Sequence, residues 1–110
     1  MMTMREAKFG IGEVVCHRDQ ALRGIIVDVD HAFGSEAEWL RDLSPPEGIR
    51  RDQPFYHLLA EHDDEPCMIY VGEDSLMADP TGRPVRHPGA GDHFARFEGG
   101  RYVGMAKPMH

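Results

Sequence analysis

The cysteine and histidine side chains are the residues of this chain best suited to bind a metal ion or to act as nucleophiles and bases. They are Cys16, Cys67, His17, His31, His57, His62, His87, His93 and His110. None forms a pair with the spacing of a zinc finger or of a His-Glu-x-x-His site. Cys16 and His17 are adjacent on a predicted strand, so their side chains point to opposite faces and cannot form a Cys–His dyad. The pattern predicts no metal site and no cofactor.

Other catalytic motifs are missing as well. The chain has no Gly-x-Ser-x-Gly sequence. Asp28 and Asp30 share a predicted strand face, which we interpret as a solvated strand end, and Asp63 and Asp64 lie in a predicted turn. The segment Gly10-Ile11-Gly12 lacks the third glycine of the dinucleotide fingerprint and precedes a strand rather than a helix. We therefore predict no catalytic residues and no enzymatic activity.

Arginine and aromatic residues are the remaining candidates for contact with a partner. They are Arg18, Arg23, Trp39, Arg50, Arg51, Tyr56 and Tyr70. Arginines can contact phosphates and aromatic rings can stack on bases, provided that the fold brings their loops together. The formal net charge of −7 instead repels nucleic acid over a broad surface. We therefore favour the alternative that these arginines are scattered, solvated charges and that Trp39 covers the open end of the hydrophobic core.

Two strands near the start of the chain are predicted to organise the fold. They are Glu13–His17 and Leu22–Asp30, joined by the polar loop His17–Gln20. Gly10 and Gly12 precede them, where we expect the chain to bend or to pass close to another backbone. Within the second strand, Ile25, Val27 and Val29 share one face and the two aspartates lie on the other, which predicts one buried face. Gly24 predicts a bulge or a close backbone approach.

A short helix and further strands follow. The capping box Ser35-Glu36-Ala37-Glu38 predicts helical turns over Glu36–Leu43, which Pro45-Pro46 ends. The later predictions are a third strand at Phe55–Glu61, a turn at His62–Pro66, a fourth strand at Cys67–Glu73, a turn of helix at Ser75–Met77 and a closing strand at Arg101–Gly104. Phe94 and Phe97 are expected to be apolar anchors.

The fold class that these elements predict is mainly β: a small SH3-like half-open barrel of about five antiparallel strands, with one short helix between the second and third strands. A chain of 110 residues predicts a single domain over residues 1–110, with residues 1–7 and 105–110 flexible. No apolar run approaches the ~20 residues of a membrane span, and the first residues lack the hydrophobic region of a secretory signal. We expect a cytoplasmic protein with two reduced cysteines and no membrane partner.

Several blocks of the sequence are similar to a known family. They are KFGIGEVVCHRDQALRGIIVDVDHAF from Lys8, then Trp39, QPFYHLLAE from Gln53, YVGEDSLMAD from Tyr70, and His87-Pro88 with Phe94 behind them. In this order they resemble the heat-shock protein HspQ family, also described as the YccV-like hemimethylated-DNA-binding domain. The resemblance covers roughly residues 8–104, nearly the whole chain.

The resemblance implies a small cytosolic β-barrel-like protein without enzymatic activity. HspQ-like proteins are linked to the heat-shock response and to the Lon protease, where they alter which substrates are degraded, including the replication initiator DnaA. The same domain is linked to hemimethylated DNA. The acidic charge favours the protease-linked role, with DNA binding as the alternative. A strand edge or the C-terminal tail would dock the partner, and an exposed edge would also permit homo-oligomers.

Overall fold

The computed structural model describes residues 6–30 and 53–105, and these ranges are mainly β-structure. Their elements are β1 (Val14–His17), β2 (Leu22–Asp30), β3 (Phe55–His62), β4 (Glu65–Gly72), β5 (Leu76–Ala78), α1 (Ala90–His93), β6 (Phe94–Glu98) and β7 (Arg101–Met105). A 3-10 turn over Glu73–Ser75 connects β4 to β5. Within these ranges, no helix has the length and apolar character needed to cross a membrane.

The strands form one five-stranded antiparallel sheet, in the order β4-β3-β2-β1-β5, and a separate hairpin of β6 and β7. The mainly β prediction is confirmed, and β2 has the bounds that the sequence predicts. The strands of the described ranges do not close into a barrel. The helix predicted over Glu36–Leu43 lies outside the described residues. The helical turn expected at Ser75–Met77 is wrong, because Leu76 and Met77 extend to pair with β1.

The connection between β3 and β4 is tighter than the sequence suggests. Asp63 and Asp64 both have positive φ, at 52° and 65°, and His62 pairs directly with Glu65. This is the conformation of a two-residue type I′ hairpin, which aspartates tolerate better than most residues. Because only two residues turn the chain, β3 ends later and β4 begins earlier than predicted.

The second strand, β2, is buried on both faces rather than one. Leu22 and Ile26 belong to one core cluster, and the neighbouring Ile25 belongs to another. Gly24 lies at a close approach of β2 to side chains of β3, because a Cβ there would lie 3.0 Å from Cβ of Leu58. The prediction of one buried face is therefore wrong, because the sheet has a packed layer on each side.

A bulge interrupts β2 three residues beyond Gly24. Ile26 pairs with Leu58, but the next paired residue is Asp28, opposite His57, so Val27 is the extra residue. A bulge shifts the alternation of side chains between the two faces. Val29 accordingly packs against the same cluster as Ile26, whereas Val27 packs against the other cluster.

The two packed layers are joined through the start of the chain. The first consists of Val15, Leu22, Ile26, Tyr56, Leu58, Ala60 and Leu76. The second consists of Val14, Ile25, Leu59, Val85, Phe94 and Tyr102, so it holds the β6–β7 hairpin against the sheet. The backbone N–H of Tyr102 donates to the carbonyl of Gly12 at 2.8 Å. This contact confirms the close backbone approach expected at Gly12, whose φ is +94°.

Candidate partner-binding surface

A group of polar and aromatic side chains lies on one face of β2, β3 and β4, beyond the bulge. The strand pairing places Asp28 opposite His57, and His57 opposite Tyr70. Asp30 lies one pair further along, opposite Phe55. Because paired residues share a face of a sheet, all five side chains are neighbours.

The aromatic rings of this group support one of its carboxylates. Tyr70 stacks on Phe55 with a centroid distance of 5.3 Å and contacts the ring of His57 at 4.6 Å. The Tyr70 hydroxyl donates a 2.8 Å hydrogen bond to Oδ2 of Asp30. Asp30 is only 7% exposed, so its carboxylate is held in place beside His57.

The residues Asp28, Asp30 and His57 form what we term the carboxylate–histidine cluster. One ligand atom from each lies within 4.8 Å of the other two. The closest approach of His57 Nδ1 to Oδ2 of Asp28 is 4.0 Å, which is too long for a hydrogen bond. The solvated strand end predicted for the two aspartates holds for Asp28, which is exposed, and is wrong for Asp30, which is buried.

Arg23 lies near the other end of β2 and is committed to contacts within the protein. Its Nε and Nη2 donate to the two carboxylate oxygens of Asp79 at 3.1 and 3.0 Å. Its Nη1 donates to Oε1 of Glu61 at 3.2 Å and to the carbonyl of Pro84 at 3.3 Å. A guanidinium with this many partners is poorly placed to contact a phosphate.

The charge pair stabilises the ionised form of both partners. Burial alone would raise the pKa of Asp79, but hydrogen bonds from Arg23 and Thr81 outweigh it and hold that pKa below its usual value. The hydrogen bond to Asp79 likewise raises the pKa of Arg23. The pair therefore has a structural role, since it ties β2 to the segment that follows β5.

Arg18 is exposed in the loop after β1. Its Nε donates to the carbonyl of Asp74 at 3.0 Å, and its backbone N–H donates to the carbonyl of Ser75 at 2.8 Å. A cleft of about 530 Å³ opens beside this loop, with Cys16 and the acidic residues Asp63 and Asp64 in its lining. Burial raises the pKa of the Cys16 thiol, which disfavours the reactive thiolate form.

The structure separates the residues that the sequence nominated for partner binding. Tyr56 is fully buried and its hydroxyl donates to Oε2 of Glu73 at 2.6 Å, so it is not a stacking surface. Burial and this hydrogen bond raise its pKa. Tyr70 lies beside the carboxylate–histidine cluster, Arg23 lines the cleft, and Arg18 lies exposed in the loop after β1. Trp39, Arg50 and Arg51 lie outside the described residues.

After the carboxylate–histidine cluster and the cleft, the third candidate feature is the outer edge of β4, the edge that does not face β3. β4 is the last strand of the sheet among the described elements. Around a two-residue turn, the flanking residues hydrogen-bond to each other and the bonded pairs then alternate with non-bonded pairs. From the pair His62–Glu65, the backbone groups of Pro66 and Met68 point away from β3. Pro66 fits this position because it has no N–H to donate, and Met68 is 63% exposed.

The carboxylate–histidine cluster is not predicted from the sequence. The sequence contains two hints of this cluster: an Asp-x-Asp at the end of one predicted strand and a histidine early in the next. Their convergence depends on the bulge at Val27, which sets the pairing of Asp28 with His57. A local pattern does not contain that register.

Comparison with known families supports the resemblance noted in the sequence. A family model described as "Hemimethylated DNA-binding protein YccV like" matches residues 7–101. The match begins before β1 and ends at the first residue of β7. It covers the first packed layer, all of the second except Tyr102, and the candidate surface features described above. The chain therefore belongs to the YccV-like family.

Proposed function

We propose that this protein is a non-enzymatic regulator that binds protein partners and modulates degradation by the Lon protease, with substrates such as the replication initiator DnaA. The observation that carries the proposal is the outward-facing edge of β4, on which a partner strand can be added. The resemblance to HspQ-like proteins is the reason for proposing the Lon protease, and the β4 edge is the surface on which we propose that the partner docks.

The first half of β4 has the features of a strand-addition site. Glu65, Pro66 and Met68 are all exposed, and the outward-facing N–H and C=O groups of Met68 are available to a partner. Pro66 prevents pairing at its own position, which limits uncontrolled association along the edge. An extended peptide would therefore pair around Met68.

Charge also favours a protein partner over a nucleic acid. The net charge is −7, and four of the described arginine side chains bond to groups of the protein itself, among them Arg101, which donates to the carbonyl of Ile11. Arg23 binds Asp79 and Glu61, Arg96 binds Glu98, and Arg18 donates to the carbonyl of Asp74. Phosphate contacts would have to compete with these bonds and with the repulsive field.

Degradation of DnaA by purified Lon, measured with and without the full-length protein, tests the proposal. We expect the wild-type protein to change the degradation rate. Met68→Pro should reduce this effect several-fold, because it removes an outward N–H without breaking a bond to β3. Met68→Thr is the matched control, since it keeps the backbone donor and should keep the effect.

Three outcomes would contradict parts of this proposal. No change in rate with the wild-type protein would refute the Lon-linked role. Equal activity of Met68→Pro and wild type, with matching circular dichroism and melting curves, would exclude the β4 edge. Equal loss in both Met68 variants would assign docking to the side chain instead of the strand edge.

DNA binding is the second candidate, and the description of the matching family favours it. Fluorescence anisotropy with unmethylated, hemimethylated and fully methylated duplexes at physiological salt tests it. Arg18→Ala should weaken binding if the exposed loop after β1 contacts phosphates. Equal and weak binding to all three duplexes would exclude selective recognition of hemimethylated sites.

A further inference from the structure

We propose that the carboxylate–histidine cluster is a binding site for a divalent first-row transition-metal ion, for which Zn²⁺ is the probe. The proposal concerns Asp28, Asp30 and His57, and it is independent of the Lon-linked role. Its basis is the geometry of three ligand-type side chains together with a buried ring nitrogen that has no hydrogen-bond partner.

The fold itself brings the three ligand groups together. Without the bulge at Val27, Asp28 would fall out of register with His57, and its side chain would point to the opposite face. With the bulge, Asp28 pairs directly with His57 and Asp30 follows on the same face. The three ligand atoms then lie within 4.8 Å of one another. Asp28 is exposed, so its side chain has room to turn towards an ion held beside His57 and Asp30.

The state of His57 distinguishes it from other histidines in the described ranges. Its Nδ1 is buried and has no hydrogen-bond partner. By contrast, Nδ1 of His17 accepts from the backbone N–H of Asp19 at 3.0 Å, and Nδ1 of His87 accepts from that of Gly89 at 2.9 Å. A buried polar atom without a partner is costly, and an ion bound between His57 and the aspartates would satisfy it.

The second carboxylate is held in the way that metal ligands commonly are. Asp30 is buried, and Oδ2 accepts the hydroxyl hydrogen of Tyr70 at 2.8 Å. Such outer hydrogen bonds orient a ligand and tune its affinity for the ion. The ring of Tyr70 also packs against His57, so one side chain positions two of the three ligands.

The donor set indicates the class of ion. An imidazole nitrogen with two carboxylates suits Zn²⁺ or Mn²⁺, whereas Mg²⁺ and Ca²⁺ prefer oxygen ligands alone. Three protein ligands leave further positions for water or for a group from a partner. Bound between β2 and β3, the ion would also neutralise two neighbouring carboxylates and fix the bulge.

Isothermal titration calorimetry of the full chain with Zn²⁺, and with Mg²⁺ as a comparison, tests the site. His57→Phe removes the nitrogen ligand but keeps an aromatic ring against Tyr70, and it should weaken zinc binding by tenfold or more. Asp28→Asn acts at an exposed side chain and should also weaken binding, so the test does not depend on a single buried substitution. His62→Asn is the matched control, because exposed His62 also lies near an aspartate, Asp63, and it should bind zinc like the wild type.

A second readout locates the ion. Mn²⁺ should broaden the amide NMR signals around Asp28, Asp30 and His57 before those around His62 and His93. Unchanged zinc affinity in both His57→Phe and Asp28→Asn would overturn the proposal, as would equal affinity for Mg²⁺. Broadening centred on another histidine, or no measurable zinc binding by the wild type, would overturn it as well.

Discussion

At the scale of single residues, Arg23 shows how a side chain suited to bind phosphate is used within the fold instead. Its guanidinium holds both carboxylate oxygens of Asp79, whose side chain is only 2% exposed, and it also contacts Glu61. Such bidentate geometry is strong and specific. The sequence could nominate Arg23 as a cationic side chain, but its partners are 38 and 56 residues away along the chain.

We expect Arg23→Ala to lower the free energy of unfolding by about 3 kcal/mol, because it leaves the Asp79 carboxylate buried without its main partner. Urea denaturation at neutral pH measures the loss. The double variant Arg23→Ala/Asp79→Asn is the control and should lose less, since it buries no unpaired charge. An equal loss in the single and double variants would show that the charge pair contributes nothing specific.

The same pair predicts a pH dependence. The pKa of Asp79 is lowered in the folded protein, so the unfolded chain takes up a proton at a higher pH than the folded one. The stability from Asp79 is thus complete above the unfolded pKa of about 3.9 and is lost as the pH falls through the lower folded value. Urea curves between neutral pH and pH 3 should show a smaller acid-dependent loss for Asp79→Asn than for wild type.

At the scale of elements, the approach of Gly12 to the β6–β7 hairpin links the two packed layers. Its φ of +94° lies in a region that favours glycine, and an added Cβ would collide with the carbonyl group of Tyr102. The hydroxyl of Tyr102 in turn accepts from the backbone N–H of Val85 at 2.9 Å and donates to its carbonyl at 3.2 Å. Displacing Tyr102 would therefore disturb the whole second layer.

Gly12→Ala should destabilise the protein by about 2–4 kcal/mol, as backbone strain and a steric clash act together. Gly82→Ala is the matched control, because Gly82 has a φ of +70° but nothing within 4 Å of its Cβ position. The control should lose only about 1 kcal/mol from strain. Thermal unfolding measures both variants, and equal losses would show that the contact with Tyr102 does not matter.

At the scale of the whole molecule, the acidic balance determines which partners can approach. A net charge of −7 in a chain of 110 residues opposes binding along the DNA backbone. Arginines that pair with aspartate or glutamate do little to reduce the negative field at the protein surface, because each positive charge is offset by its partner. The family description therefore favours DNA binding, whereas the net charge disfavours it. The salt dependence of DNA binding distinguishes the two.

If the protein binds DNA through a few contacts such as Arg18, raising salt from about 50 to 200 mM should weaken binding by less than about a hundredfold. A surface with six to ten phosphate contacts would lose about 10³–10⁵ over the same range. Anisotropy titrations at several salt concentrations measure the slope. A steep slope would reveal a basic surface and would contradict the preference for a protein partner.

The sequence by itself indicated five of the strands, β1 to β4 and β7, and the family. The alternating apolar pattern located β2 at Leu22–Asp30, and the ordered blocks around Gln53 and Tyr70 identified the YccV-like family. Both signals are local, since each depends on residues that are close along the chain. The expectation of a close approach at Gly12 was also local, because only glycine adopts such a backbone readily.

Only the tertiary structure decided which side chains meet. Tyr56 and Tyr70 look alike in the sequence, yet one is buried in the core and the other supports Asp30 at the surface. Asp28 reaches His57 because of one extra residue in β2, and shifting strand pairing by a single residue exchanges the two faces of a strand. Register is a property of two strands together, and neither strand's own sequence pattern specifies it.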